Sequence, residues 1–141
     1  MPPDLARAED VRAWLTKAAG DLRAGASSLA AEPPITFDVA FHAQQVCEKA
    51  LKGLLAWHDT PFRKTHSLEE IGEACLAIDG TLRELVDRAV PLSEFAWRFR
   101  YPGEANDPTP AEAEAALATA RQVFQAVLAR LPESARPQGK A

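Results

Sequence analysis

Apolar residues recur along the chain at intervals of three and four, which is the spacing of one face of an α-helix. Strict alternation of apolar and polar residues, which is typical of a half-buried strand, is nowhere sustained. The pattern predicts five helices, at about residues 8–30, 37–58, 68–79, 82–99 and 110–131. Because the connections between them are short, we expect an all-α fold, an up-and-down bundle of four to five helices.

Capping residues mark several of the predicted helix boundaries. Thr36 can serve as the N-cap of the second helix. Ser67 with Glu70, and Thr109 with Glu112, have the spacing of a capping box, in which each side chain bonds the other residue's backbone amide. The third and fifth helices should therefore begin directly after Ser67 and Thr109.

Proline sets two further limits. Pro91 falls in the middle of the predicted fourth helix and indicates a kink or a short break there, because proline lacks an amide donor. After Pro132 the chain has almost nothing to bury. We therefore expect a single helical domain over residues 1–131 and a disordered C-terminal tail over residues 132–141.

Composition narrows the class of protein. A chain of 141 residues with 47% hydrophobic residues is sized for one soluble globular domain. A net charge of −4 argues against a protein that coats nucleic acid nonspecifically, yet it permits a local basic site. No apolar run of about 18 residues and no signal-peptide pattern occurs, so we expect a cytoplasmic protein without a membrane span. Cys47 and Cys75 lack metal or redox spacing and are expected to be buried thiols.

The second predicted helix gathers its polar residues on one side. Within about 120° of arc, at about 100° per residue, lie six polar side chains: Asp38, His42, Gln45, Glu48, Lys49 and Lys52. One interpretation is a solvated face on which Glu48 and Lys52 form an ion pair. The other is a binding site. Gln44, at the edge of the apolar arc, needs a hydrogen-bond partner if it is buried.

The segment "FHAQQVCEKALKGLLAWHDTPFRKTHSLEEI" closely resembles the signature of the HEPN family, small helical proteins of prokaryotes whose name records a proposed nucleotide-binding role. Further on, Arg100, Tyr101 and Pro102 match an Arg-Tyr-Pro element, and Asp21-Leu22 is similar to the family's opening helix. The resemblance spans about residues 8–131. It implies a helical bundle, commonly a homodimer, often encoded beside a minimal nucleotidyltransferase.

The RNA-cutting branch of that family carries an arginine followed four to six residues later by a histidine, near the end of a late helix. This chain lacks the motif, because no histidine follows Arg98 or Arg100. We therefore predict a protein without a complete catalytic set of its own. The alternative is a metal-independent ribonuclease of the toxin type, for which His42 and His66 are the formal acid/base candidates.

The predicted ligand- or partner-binding set joins the polar arc, the loop after it and the turn before the last helix: His42, Gln45, Lys49, Lys52, His66, Arg100 and Tyr101. If the second and fourth helices pack together, its cations could form a phosphate-binding surface, with Trp97 or Tyr101 stacking on a base. The competing interpretation is that the cations pair with nearby acids, Lys49 with Glu48 or Glu69.

The chain could also bind another protein and not a small ligand. The polar arc and the "RFRYPG" turn could dock a nucleotidyltransferase or a second copy of the chain, with Phe41, Phe62 and Tyr101 as aromatic anchors. His66 could instead hold its loop against the second helix. His42 and Asp38 are two potential metal ligands without a third nearby, and no cofactor motif occurs, so we predict neither a metal nor a cofactor.

Overall fold

The computed structural model describes residues 3–99, 102–103 and 106–137. Its α-helices are α1 (Pro3–Ala30), α2 (Thr36–Trp57), α3 (Leu68–Ile78), α4 (Arg83–Ala89), α5 (Leu92–Arg98) and α6 (Pro110–Leu128). Short 3-10 turns lie at Gly80–Leu82 and Glu133–Ala135. Because no strand occurs within these ranges, the predicted all-α bundle is confirmed. None of the described helices has both the length and the apolar character that a membrane crossing requires.

Helix α2 lies at the centre of the bundle and contacts α1, α3, α5 and α6. Its apolar face is fully covered, with Val46, Cys47 and Leu55 at 0% exposure. Phe124 of α6 and Leu15 of α1 belong to the same core. The width of the apolar arc on α2 is therefore explained by neighbours on several sides.

Two glycines allow helices to approach closely. A Cβ atom at Gly53 would overlap the side chain of Leu15 on α1, and one at Gly72 would overlap Val86 on α4. The absence of a side chain at these positions thus sets the spacing of α1 against α2 and of α3 against α4.

Two of the predicted caps are confirmed. The side chain of Ser67 accepts a hydrogen bond from the Glu70 amide. The other half of that predicted capping box is wrong, because the Glu70 carboxylate binds Arg63 and the Ser67 amide donates to Oγ1 of Thr65. Thr109 and Glu112 form a complete capping box. The prediction for Thr36 is wrong, since α2 begins one residue earlier than expected and Thr36 is its first helical residue. Ile35 occupies the N-cap position, where its carbonyl accepts from the amides of Asp38 and Val39.

The predicted break at Pro91 is confirmed, because α4 ends at Ala89 and α5 begins at Leu92. Pro91 lacks the amide that would continue the hydrogen-bond ladder. The predicted fourth helix is therefore two short helices, α4 and α5.

The C-terminal segment differs from the predicted disordered tail over its described part, which extends to Pro137. Ala135 is fully buried, and the guanidinium of Arg12 donates to the Ser134 carbonyl at 2.6 Å and 3.2 Å. Composition does not reveal this anchor, because it consists of one small apolar residue and one backbone carbonyl. Residues 138–141 of the predicted tail lie outside the described residues.

Candidate binding site on helix α2

The polar arc of α2 is largely covered. The solvated-face interpretation is wrong for its central residues, but the ion pair between Glu48 and Lys52 that it included is present. Glu48 is 4% exposed and Lys52 is 6% exposed. Helix α1 and the loop between α2 and α3 cover them. Buried charges of this kind persist in proteins only when they are paired and hydrogen-bonded.

Glu48 is the centre of a hydrogen-bonded cluster, which we call the Glu48 network and which comprises Gln44, Gln45, Glu48, Lys52 and His66. The Oε1 atom of Glu48 accepts from Nε2 of Gln44 at 3.1 Å and lies 2.9 Å from Nδ1 of His66. Its Oε2 atom accepts from Nζ of Lys52 at 3.1 Å. Gln44 also donates to the His66 carbonyl at 3.3 Å and accepts from Gln45 at 2.7 Å. The partner that a buried Gln44 requires is therefore present.

These contacts keep the Glu48 carboxylate ionised. Burial opposes ionisation, but the hydrogen bonds from Gln44, His66 and Lys52 outweigh it and hold the pKa of Glu48 below its ordinary value. The His66 contact also agrees with the predicted role of His66 in holding its loop against α2.

Aromatic rings complete the enclosure of Lys52. Its Nζ atom lies 5.7 Å from the ring centroid of Trp14 and 5.7 Å from that of Phe62, within range of a cation–π interaction. The two rings meet edge to face at 6.1 Å. Phe62 is thus packed over Lys52 and against the core rather than presented as an anchor for a partner.

A second cluster lies between α1 and α2. We call it the Asp21 network, and its members are Asp21, Ser28, Asp38, His42 and Lys49. Asp21 accepts from Nζ of Lys49 at 2.6 Å and lies 2.8 Å from Nδ1 of His42. Nε2 of His42 faces Asp38 at 3.4 Å, and Ser28 donates to Asp38 at 2.6 Å. Lys49 is therefore paired, but with Asp21 and not with Glu48 or Glu69.

Asp21 is a residue of the candidate site that the helical spacing did not identify. It is 28 residues from Lys49 along the chain, so no local i, i+4 argument connects them. Its only signal was the Asp21-Leu22 pair that resembles the family's first helix. His42 and Asp38 gain no third metal ligand, and no group of three or more His, Cys, Asp or Glu suited to a metal occurs among the described residues.

Aromatic side chains border both networks where α5 packs against α2. The Trp97 ring lies 5.6 Å from Phe41 and 6.1 Å from His66 between centroids. Phe37, one turn before Phe41, is 40% exposed, and Trp97 is 37% exposed. We call Phe37, Phe41, His66 and Trp97 the aromatic face. The condition stated for a shared surface, that the second and fourth predicted helices pack together, is met by α2 and α5.

The predicted site residues thus fall into three groups. His42 and Lys49 belong to the Asp21 network, and Gln45, Lys52 and His66 belong to the Glu48 network. Arg100 and Tyr101 lie outside the described residues. Two further arginines lie in the loop after α2 and at the end of α5: Arg63 binds Glu70 at 2.6 Å, and Arg98 lies over the Phe99 ring.

A protein-family model matches most of this chain. The family model that matches is described as HEPN domain, and it matches residues 11–131. No curated protein and no solved structure matches the chain. Since the family model covers well over half of the 141 residues, this chain belongs to the HEPN domain family.

Proposed function

We propose that this chain is a non-catalytic subunit that acts in the cytoplasm and docks a separately encoded minimal nucleotidyltransferase. The docking surface is the aromatic face together with the Arg-Tyr-Pro element that follows α5. One observation carries the proposal: the lysines of the predicted site are already paired with carboxylates, and two large aromatic side chains of the aromatic face, Phe37 and Trp97, are 40% and 37% exposed.

The paired lysines weigh against a ready-made phosphate site. Lys52 would have to leave Glu48, and both side chains are buried. Breaking a buried pair costs about 3–5 kcal/mol, because it leaves an uncompensated charge. Lys49 would likewise have to leave Asp21, whose side chain is only 12% exposed.

The aromatic face has the character of an interface core. Trp and Phe are enriched at such cores because each buries a large apolar area, and Trp is common among the residues that dominate binding energy. Trp97 precedes Arg100 by three residues in the sequence, and α5 ends at Arg98. Arg100 and Tyr101 are assigned to the same surface as part of this proposal.

Co-expression with a minimal nucleotidyltransferase from the same genome tests the proposal. We expect a complex that survives affinity purification. Trp97→Ala and Phe37→Ala should each weaken it about tenfold or more, and Arg100→Glu should also weaken it. Leu5→Ala is the matched control, since Leu5 is 52% exposed on α1 and outside the aromatic face. Equal loss in the Leu5 variant, or no loss in the others, contradicts the proposed surface.

Self-association belongs to the same proposal, and we expect the isolated chain to form a homodimer. Light scattering across a range of concentrations measures it directly. Trp97→Ala should reduce the dimer fraction if two copies share the surface used for the enzyme. A monomer at all concentrations would remove the homodimer and leave the enzyme contact to be judged separately.

The same surface could also bind a nucleotide. Nucleotide binding is supported by the neighbouring rings of Trp97 and His66, which could contact a base. Isothermal titration with ATP is the test: binding should be lost in Trp97→Ala and retained in Leu5→Ala. Absence of heat at millimolar ATP removes nucleotide binding and leaves the docking proposal intact.

A ribonuclease is the alternative function, and one contact favours it. His66 has a 68% exposed side chain, and its Nδ1 is bound to a buried carboxylate, an arrangement that orients imidazoles in acid–base catalysis. If this alternative holds, the purified chain cleaves added RNA and loses that activity in His66→Ala and His42→Ala.

A further inference from the structure

A half-enclosed pocket of about 290 Å³ lies between α1 and α6, away from the helices that carry the proposed docking surface. Its walls combine an apolar floor with a polar rim. The residues that matter for its chemistry are Leu22, Arg23, Ala26, Arg121, Phe124 and Gln125. None of the described residues that line it is acidic.

The floor is part of the hydrophobic core. Phe124 is 1% exposed, and Leu22 packs against the main core and against a smaller buried cluster of Val39, Ala113 and Leu117. Ala26 lines the pocket with only a methyl group, so a longer side chain at this position would reduce the volume of the pocket. The pocket therefore offers apolar contact to a ligand that is small.

The rim carries positive charge that the protein leaves uncompensated. Arg23 and Arg121 are exposed, and within the part of the chain that the structure describes neither makes a hydrogen bond or an ion pair. No Asp or Glu lies three or four residues from either of them on its own helix.

Several other arginines of this protein are paired with carboxylates. Arg63, Arg83 and Arg130 each contact a carboxylate, at 2.6 Å, 3.0 Å and 2.6 Å. In a chain with 20 acidic and 16 basic residues, two unpaired arginines at one pocket form a local excess of positive charge. Gln125 adds an amide donor at the same rim.

We infer that this pocket binds a small amphipathic anion, a compact aromatic or aliphatic body that ends in a carboxylate or phosphate. The body contacts Leu22 and Phe124, and the anionic group accepts hydrogen bonds from Arg23 and Arg121. Guanidinium groups suit this task because their planar donors match two oxygens of a carboxylate or phosphate.

A two-dimensional NMR titration of the ¹⁵N-labelled chain with benzoate and with phenyl phosphate tests the inference. We expect saturable shifts at the amides of residues 22, 23, 26, 121 and 125. Inorganic phosphate provides only the anionic group, and benzyl alcohol provides only the aromatic body. Each should therefore bind at least tenfold more weakly. A lower Kd for phenyl phosphate assigns the natural ligand to phosphate esters, and a lower Kd for benzoate assigns it to carboxylates.

Substitutions test whether the ligand binds in this pocket. Arg23→Gln and Arg121→Gln should each raise the Kd about tenfold. Ala26→Leu should abolish binding by filling the pocket while both arginines remain. Lys17→Gln is the control, because Lys17 is an exposed cation of α1 that does not line the pocket. The inference is overturned if the pocket amides show no saturable shift, or if Lys17→Gln weakens binding as much as the arginine variants.

Discussion

Nδ1 of His66 lies 2.9 Å from Oε1 of Glu48, so the loop after α2 is fastened to a carboxylate buried on that helix. The same oxygen accepts from Gln44, and the other oxygen accepts from Lys52. One side chain thus neutralises a buried lysine, satisfies a buried amide and positions a loop. The consequences for stability can be measured.

Removal of the Glu48 charge should destabilise the fold strongly. Glu48→Gln keeps the shape of the side chain but leaves the Lys52 ammonium buried without a counter-charge. We expect the free energy of unfolding to fall by about 3–5 kcal/mol, measured by urea denaturation.

Glu69→Gln is the control for that substitution, since Glu69 is exposed on the first turn of α3. Its effect should stay within about 0.5 kcal/mol, the usual range for surface substitutions. Equal stabilities of the two variants would show that Lys52 does not depend on Glu48.

The same network should make stability depend on pH in the acid range. The pKa of Glu48 is below its ordinary value of 4.5 in the folded state, so the unfolded chain binds more protons. The stabilisation is complete above about pH 4.5 and is lost as the pH falls through the lower folded pKa. In urea melts at successive pH values, the wild type should lose stability more steeply than Glu48→Gln. Parallel curves would contradict this assignment.

Asp79 should add an independent contribution of the same sign. Its hydrogen bonds from Thr81, followed by those from Arg130, lower its pKa from 3.8 to about 2. Its stabilisation is therefore lost as the pH falls from about 3.8 towards 2. Asp79→Asn should flatten the stability curve in that interval and leave the slope above it unchanged.

Close helix packing at Gly53 predicts opposite effects for two glycine substitutions. Gly53→Ala places a methyl group against Leu15 and should destabilise by about 1–3 kcal/mol. Gly20→Ala meets nothing within 4 Å on the exposed side of α1 and should stabilise by about 0.5–1 kcal/mol. Thermal unfolding of both variants checks the pair. Similar shifts of Tm in one direction would contradict the described approach of α1 to α2.

Both thiols should be inert in the folded protein. Burial raises the pKa of Cys47 and that of Cys75 to about 12, and the structure encloses both side chains. A chromogenic disulfide reagent at pH 8 should react with both thiols in guanidinium chloride and far more slowly without it. Rapid reaction in native buffer would mean that at least one thiol is accessible.

Local sequence signals predicted most of the fold. The apolar spacing, the caps at Ser67 and Thr109 and the break at Pro91 each depend on residues close together in the chain, so they could be read without a structure. The Thr36 prediction failed because α2 begins one residue earlier than expected, which places Thr36 inside the first turn and not at the N-cap.

The candidate site was harder to predict because its decisive contacts are distant in sequence. Helical periodicity placed His42, Lys49 and Lys52 on one side of α2, but it could not show that α1 brings Asp21 to Lys49 or that Trp14 covers Lys52. From the spacing alone, Lys49 and Lys52 looked free to bind a ligand. In the folded chain they are paired with Asp21 and Glu48.

The proposed function depends on one contact, in which the aromatic face binds an enzyme subunit. The most direct measurement is size-exclusion chromatography with light scattering on the chain co-expressed with a minimal nucleotidyltransferase of the same genome. We expect one heteromeric species for the wild type and separate components for Trp97→Glu. Two separate components in the wild type, or an undiminished complex with Trp97→Glu, would contradict the proposal.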